Sequence, residues 1–259
     1  MNLLFIGDVF GSPGRSFLKE MLPKLIRKYE IDFTIANGEN AAGGAGITGR
    51  VAEELFSMGV DVLTSGNHIW NQKEIFSFID NEKRIVRPAN YPPGVPGRGS
   101  GIYSARGGIS VGVINVCGRI FSHQNFDCPF RAIDAKINQI KTVTPVVIVD
   151  FHGEATSEKN AAGWYVDGRV SALLGTHTHV QTADEIILPG GTAYITDVGM
   201  TGSYEGVIGA KREPALEHFL TQLPVRIEPA RGKGQLNAVC CAIHPSGKAE
   251  RIERILMRE

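Results

Sequence analysis

The sequence predicts an α/β protein built on a mainly parallel sheet, and three observations carry that expectation. Short apolar runs alternate with stretches of helical spacing along most of the chain. Such alternation implies right-handed crossovers between parallel strands. Polar side chains gather directly after the apolar runs, on the edge where an open parallel sheet binds its ligands. The 259 residues, 42% of them hydrophobic, can bury a sizeable core, and no boundary divides them, so one domain spanning 1–259 is expected.

Asn2-Leu3-Leu4-Phe5-Ile6 reads as a buried strand that ends at Gly7-Asp8. Helical spacing follows from Phe17 to Tyr29, with Pro23 expected to kink or divide the helix. Phe33 to Ala36 is a second strand, running into Asn37-Gly38-Glu39-Asn40. After a glycine-rich loop, a helix covers Val51 to Met58. Val60 to Thr64 is a third strand, ending at Ser65-Gly66-Asn67-His68, and a helix covers Gln72 to Ile79. Arg87 to Gly101, with four prolines and four glycines, reads as a long loop. A plain surface connection is favoured there over a cover for the site or a join between two halves. Strands follow at Val111 to Val116 and Val146 to Val149, with a helix at Phe130 to Ile140 between them. The second strand ends at Asp150-Phe151-His152-Gly153-Glu154, before a short helix at Ser157 to Ala162. The apolar run Val170 to Leu174 leads into Gly175-Thr176-His177-Thr178-His179. Strands at Asp184 to Leu188 and Thr192 to Thr196 precede a final hairpin, Leu236 to Ile243 with Glu250 to Ile255.

His177 and His179 are two of seven histidines. On an extended backbone they would point the same way, and two neutral imidazoles suit a borderline-soft divalent metal. Two ordinary surface histidines would look the same in isolation. The metal reading gains from Asp8, Glu39, Asn40, Asn67, His68 and His152, each also just past an apolar run. Singly, Asp8 could cap a helix, Asn67 could sit in a turn and His152 could be a core histidine. As a set, imidazoles, carboxylates and carboxamides suit iron, manganese or zinc better than calcium or magnesium. Two such ions ~3.5–4 Å apart can hold a hydroxide between them and clamp an in-line displacement at phosphorus.

Other classes fit less well. Gly44-Ala45-Gly46-Ile47-Thr48-Gly49 matches GxGxxG formally, but Glu39 and Asn40 separate it from its strand and Ile69 stands where an acidic residue is needed. Arg50-Val51 after Gly49 excludes a P-loop. The formal net charge is zero, which argues against broad nucleic-acid binding; Arg226, Arg231 and Lys233 read as a solvated loop rather than an RNA patch. No apolar stretch is long enough for a membrane span, and the run before Asp8 is too short for a signal peptide. Four cysteines without CxxC spacing fit a reducing, cytoplasmic setting. His123, Tyr204 and Thr201 are candidate substrate neighbours, and association with further copies of the chain is left open.

The motifs Gly7-Asp8-Val9-Phe10-Gly11, Asn37-Gly38-Glu39-Asn40, Ser65-Gly66-Asn67-His68-Ile69-Trp70, His152 and Gly175-Thr176-His177-Thr178-His179 together resemble the calcineurin-like metallophosphoesterases, and within them the YmdB-like branch. The resemblance runs from about residue 3 to the C-terminal hairpin. It implies two mixed β-sheets sandwiched between helices, with a two-ion metal site at the carboxyl ends of strands. It implies that Asp8, Glu39, Asn40 and His179 hold one ion, that Glu39, Asn67, His152 and His177 hold the other, and that His68 is the general acid. Phe10 stands where the broad superfamily has histidine, and Glu39 where it has aspartate; both are features of the branch. They shift the expected metals towards iron or manganese, with zinc also accommodated. The implied activity is phosphodiester hydrolysis by a metal-bridging hydroxide, with 2′,3′-cyclic nucleotides such as 2′,3′-cAMP as characteristic substrates. The alternatives are a phosphomonoesterase or 5′-nucleotidase of the same fold, or a non-catalytic regulatory or RNA-associated metal-binding protein.

Overall fold

The computed structural model describes residues 1–259. Its strands are β1 (Asn2–Ile6), β2 (Asp8–Val9), β3 (Phe33–Asn37), β4 (Val62–Thr64), β5 (Ile85–Val86), β6 (Ser100–Ser104), β7 (Ser110–Cys117), β8 (Val147–His152), β9 (Ala172–Thr176), β10 (Ile186–Ile187), β11 (Ala193–Ile195), β12 (Met200–Ser203), β13 (Gly234–Ile243) and β14 (Ala249–Arg258). The helices are α1 (Gly11–Lys28), α2 (Gly49–Ser57), α3 (Pro129–Ile140), α4 (Thr156–Val166) and α5 (Arg212–Thr221).

These strands form two mixed sheets. The larger has eight strands in the order β2-β12-β13-β1-β3-β4-β5, with β14 on the far side of β13. The smaller has six, in the order β10-β11-β9-β8-β7-β6. Each keeps a parallel centre, β1-β3-β4-β5 and β7-β8-β9-β11, with antiparallel strands beside it. The alternation of strand side chains decides the layers. Leu3, Phe5 and Ile35 point inward and meet Val113, Ile148 and Leu174 of the other sheet. Leu4 and Ile6 point outward and pack on Leu18, Leu22 and Leu25 of α1 and Leu55 of α2. Val147, Val149 and Phe151 pack outward on Ile133 and Ile137 of α3 and Ala162 of α4. The result is helix, sheet, sheet, helix. A strand covered on both faces reads as a continuous apolar run, so composition identified the strands but not their division between two sheets.

Several expectations are corrected. α1 begins at Gly11, ahead of Phe17, and runs unbroken through Pro23. Pro23 is exposed, as is Lys19 one turn earlier, so the carbonyl that loses its hydrogen bond faces water. The helix expected at Gln72 to Ile79 is a 3₁₀ turn, Lys73–Ser77. The segment after β5 is not a plain surface connection: it carries the chain from the eight-stranded sheet to β6 of the six-stranded one. Arg87 braces it from within, its guanidinium donating to the carbonyls of Pro88, Val95 and Pro96. β2, β5, β6, β12 and α5 had no counterpart in the sequence reading. The four strands are two to five residues long, β6 beginning inside the expected loop, and α5 buries only Ala215, so none shows a usable hydrophobic period. No helix is long and apolar enough to cross a membrane.

Pro23→Ala restores a helical hydrogen bond on an open face. It should stabilise the protein by about 1–3 kcal/mol in urea unfolding; an unchanged midpoint would mean that the proline costs the helix nothing.

Candidate metal centre

Every side chain singled out from strand ends arrives at one place. Asp8 follows β1, Glu39 and Asn40 follow β3, and Asn67 and His68 follow β4. His152 ends β8, and His177 and His179 follow β9. The cluster therefore lies across the carboxyl edges of both sheets. Gly66 makes the approach close enough: a Cβ there would collide with Glu39 Oε2 and the His152 ring.

The histidine pair does not get there by strand alternation. β9 ends at Thr176, and His177 and His179 both take positive φ, 105° and 65°. Non-glycine residues in that region need support from their surroundings. His177 N–H donates to Asp8 Oδ2 at 3.1 Å, and Thr178 N–H donates to Asp197 Oδ2 at 3.0 Å. Asp197 is held in turn by the fully buried Lys159, whose Nζ lies 2.8 Å from Oδ2 and also donates to the Thr176 carbonyl at 3.2 Å. The turn sends the two imidazoles to separate groups.

His152 Nε2 sits at the first group, 3.1 Å from Glu39 Oε1, 3.1 Å from Asn67 Oδ1 and 3.0 Å from His177 Nδ1. Its other nitrogen is committed. Thr176 Oγ1 donates to Asp150 Oδ1 at 2.7 Å and so accepts from His152 Nδ1, 2.9 Å away. His177 Nε2 faces the Glu154 carboxylate at 3.1 Å, which leaves its Nδ1 lone pair directed inward. Glu39, His152 and His177 thus offer three ligand atoms within 4.8 Å of one another.

The second group is Asp8, Asn40 and His179. His179 Nδ1 donates to the Ile208 carbonyl at 2.8 Å, so a neutral ring presents a lone pair at Nε2. Asn40 Nδ2 donates to the Gly44 carbonyl at 3.1 Å, which turns Oδ1 towards that nitrogen at 3.2 Å. Asp8 Oδ1 is buried without a hydrogen-bond partner, 3.9 Å from His179 Nε2 and 3.9 Å from His152 Nδ1. Acceptors converging in this way fit a cation, and each histidine is oriented from behind as metal-binding histidines are.

The electrostatics agree. Burial pushes Asp8 above the usual carboxylate range, against the pull of His179 and His152. Burial would raise Glu39 too, but His152 and the His68 N–H outweigh it and hold the group at about 2. Burial opposes a charge on His152, yet Glu39 and Asp8 raise it to about 9. Burial and repulsion from His152 lower His177 to about 3. Burial lifts Asp150 to about 7. One proton on His152 thus offsets part of the carboxylate charge around it.

A cavity of about 440 Å³ opens over the first group. Asn67, His68, His152, His177 and Glu154 line it, together with residues of the loop 118–126, His123 included. Of the other candidate substrate neighbours, Tyr204 borders a separate cavity with His179, and Thr201 is fully buried in β12. Sequence reasoning missed Asp197, Lys159, Asp150, Thr176 and Glu154 as supports. Asp197 follows the apolar β11, the same signal that marked the others. Lys159, on a helix without a clear apolar stripe, carried no signal.

Two facing mixed sheets between helices, with carboxylates, carboxamides and imidazoles gathered at one edge, define the class as a calcineurin-like phosphoesterase. The chain belongs to the YmdB-like protein family, whose model matches residues 4–255. It is 53% identical over 260 residues to a 2′,3′-cyclic-nucleotide 2′-phosphodiesterase of Bacillus subtilis (strain 168), covering 100% of this chain and 98% of that one. A crystal structure of a hypothetical protein from Thermus thermophilus superposes with a TM-score of 0.94 at 44% identity, covering 100% of both chains. That of a novel phosphatase from Mycoplasma pneumoniae superposes with a TM-score of 0.93 at 35% identity, covering 100% of this chain and 93% of that one.

Two outcomes are expected. Because His152 is raised to about 9, it holds a proton at pH 7 that a metal ion must displace. Manganese binding at pH 7 should release about one proton, and apparent affinity should rise about tenfold per pH unit until near pH 9. Calorimetry in buffers of different ionisation enthalpy checks this; no proton release would contradict the assignment. Lys159→Met leaves Asp197 buried without its partner and should cost about 3–5 kcal/mol in chemical unfolding. Through the loosened 177–179 turn, metal affinity should fall about 10–100-fold, read by metal titration of the folded variant.

Proposed function

We propose that this chain is a phosphoric diester hydrolase that acts on 2′,3′-cyclic nucleotides with the help of two transition-metal ions. The convergence of buried acceptors at the strand ends, with Asp8 Oδ1 unpartnered among imidazoles, is the observation that carries the reading. The activity named for the Bacillus subtilis relative supports the diester substrate. Asp8, Glu39, Asn40 and His179 would hold one ion. Glu39, Asn67, His152 and His177 would hold the other. Carboxamides in place of some imidazoles favour iron or manganese over zinc. When bound, the ions supply Lewis acidity at the phosphoryl oxygens.

The chain's own groups do the rest. His68 lies at the cavity rim, its N–H held by Glu39 Oε2 at 3.1 Å. The Asn71 amide meets its Nδ1 at 3.2 Å and orients the ring. As an imidazolium, His68 gives its Nε2 proton to the departing ribose oxygen and is left as neutral imidazole, a contribution typically worth ~10²–10⁴ in rate. Residues 1–259 would act as one domain in the cytoplasm, on a small-molecule substrate rather than RNA. Glu228 beside Arg226 and Lys211 weakens any basic patch in that region.

Protein reconstituted with manganese or iron should hydrolyse 2′,3′-cyclic AMP faster than 5′-AMP; preference for the monoester would assign it to the nucleotidases. His68→Ala should keep its metal and lose about 10²–10⁴-fold on the cyclic nucleotide, but lose far less on p-nitrophenyl esters, whose phenolate needs no proton to depart. Equal losses on both substrates, or loss of metal, would remove His68 from the acid role.

A further inference from the structure

The loop between β7 and α3 places apolar side chains in water beside the most polar site in the protein. Phe121 is 80% exposed and takes φ 62°, an uncommon conformation for a bulky residue. Ile120 beside it is 47% exposed. Neither is a loose end. Glu158, itself buried, accepts the backbone N–H groups of Arg119 and Ile120 at 3.0 and 3.1 Å. At the other end, Asn90 binds the backbone of Cys117 and of Asp127, and Phe126 packs edge-on against Tyr91 with centroids 4.8 Å apart. The loop is therefore held at both ends, and Phe121 is its outward aromatic.

This loop walls the same cavity as Asn67, His68, His152 and His177. At about 440 Å³ the space falls in the ~300–1,000 Å³ range of small-molecule sites. Its lining includes no lysine or arginine, and it includes the Glu154 carboxylate. That composition suits an occupant with one phosphate charge and an uncharged flat body, and it suits a polynucleotide poorly.

We propose that the loop 118–126 is a nucleobase platform, on which Phe121 stacks the base of a nucleoside whose phosphodiester lies against Asn67, His68, His152 and His177. The inference rests on the diesterase reading and adds the part of the substrate that the reacting centre does not touch. Any base has a π face, so the platform accepts purines and pyrimidines alike. Ser122, His123 and Gln124, which follow Phe121 and line the cavity, are the polar groups at hand for modest base preference; Ser122 and Gln124 bond to each other at 3.1 Å. Because the loop is pre-ordered, little conformational entropy is lost on stacking.

The test compares two five-membered cyclic diesters, 2′,3′-cyclic AMP and glycerol 1,2-cyclic phosphate, which has no base. Manganese-loaded wild-type protein should turn over both, with the higher kcat/KM on the nucleotide. Phe121→Ala should lower kcat/KM on the nucleotide by roughly tenfold or more, mainly through KM, and by less than about threefold on the glycerol diester. Phe121→Trp should restore the nucleotide. Equal losses on both substrates, no loss on either, or a change in sedimentation mass accompanied by equal losses would overturn the platform. If wild-type protein hydrolyses the glycerol diester as well as the nucleotide, the base is not recognised and the inference fails while the diesterase reading stands. If it hydrolyses neither, the diesterase reading fails.

Discussion

Lys159 and Asp197 form an ion pair with no exposure to water. Two charges buried this deeply are held only where each finds further partners, and here the partners are backbone groups of the turn that builds the site. Lys159 takes the Thr176 carbonyl; Asp197 takes the N–H of Thr178 and of Gly199. The end of β9, the start of β12 and helix α4 are thereby locked together. That lock, with the Asp8 and Ile208 bonds, holds His177 and His179 in backbone conformations that cost each of them energy. The geometry of the imidazoles thus depends in part on a charge pair that touches neither.

A second layer of bonds ties the two sheets at the same depth. Asn37, on β3, donates to Asp150 Oδ2 on β8 at 3.0 Å and accepts the Glu39 N–H at 3.1 Å. Asp150 in turn accepts from Thr176, which orients His152. Buried polar chains of this kind are stable only when every member is satisfied. Almost all of the network meets that condition, and Asp8 Oδ1 beside it is the acceptor left without a partner.

The site was legible because its residues obey one rule, polar after apolar, at the ends of strands that are themselves obvious. Asp8, Glu39, Asn40, Asn67, His68, His152, His177 and His179 all follow it, and the fold brings them together. The mechanism expected for the histidine pair was nevertheless mistaken: a strand does not continue to His179, and a left-handed turn does the aiming. The supports were hidden for a different reason. Lys159 and Glu158 sit on a helix whose composition suggests a solvated face, yet both are buried, because the sheet edge beneath α4 supplies polar partners rather than apolar ones. The division into two sheets came from the family resemblance alone and is borne out; residue patterning could not supply it, since β1, β3, β8 and β9 are covered on both faces and look alike in sequence.

The place of β13 sets the order in which the molecule can be finished during synthesis. β1 lies between β3, made soon after it, and β13, made far later, with Leu4 opposite Cys240 and Ile6 opposite Ala238. Asp8 emerges early, but the Gly7 N–H beside it pairs with the Asn237 carbonyl, and β12 reaches β1 only through β13. A nascent chain can therefore form the β3-β4-β5 side and the whole six-stranded sheet while one flank of β1 is still unpaired. The Gly7 N–H beside Asp8 finds its carbonyl only when residues 234–243 arrive. Contacts this distant in sequence form slowly, so the flank of β1 that faces β13 closes later than the flank that faces β3.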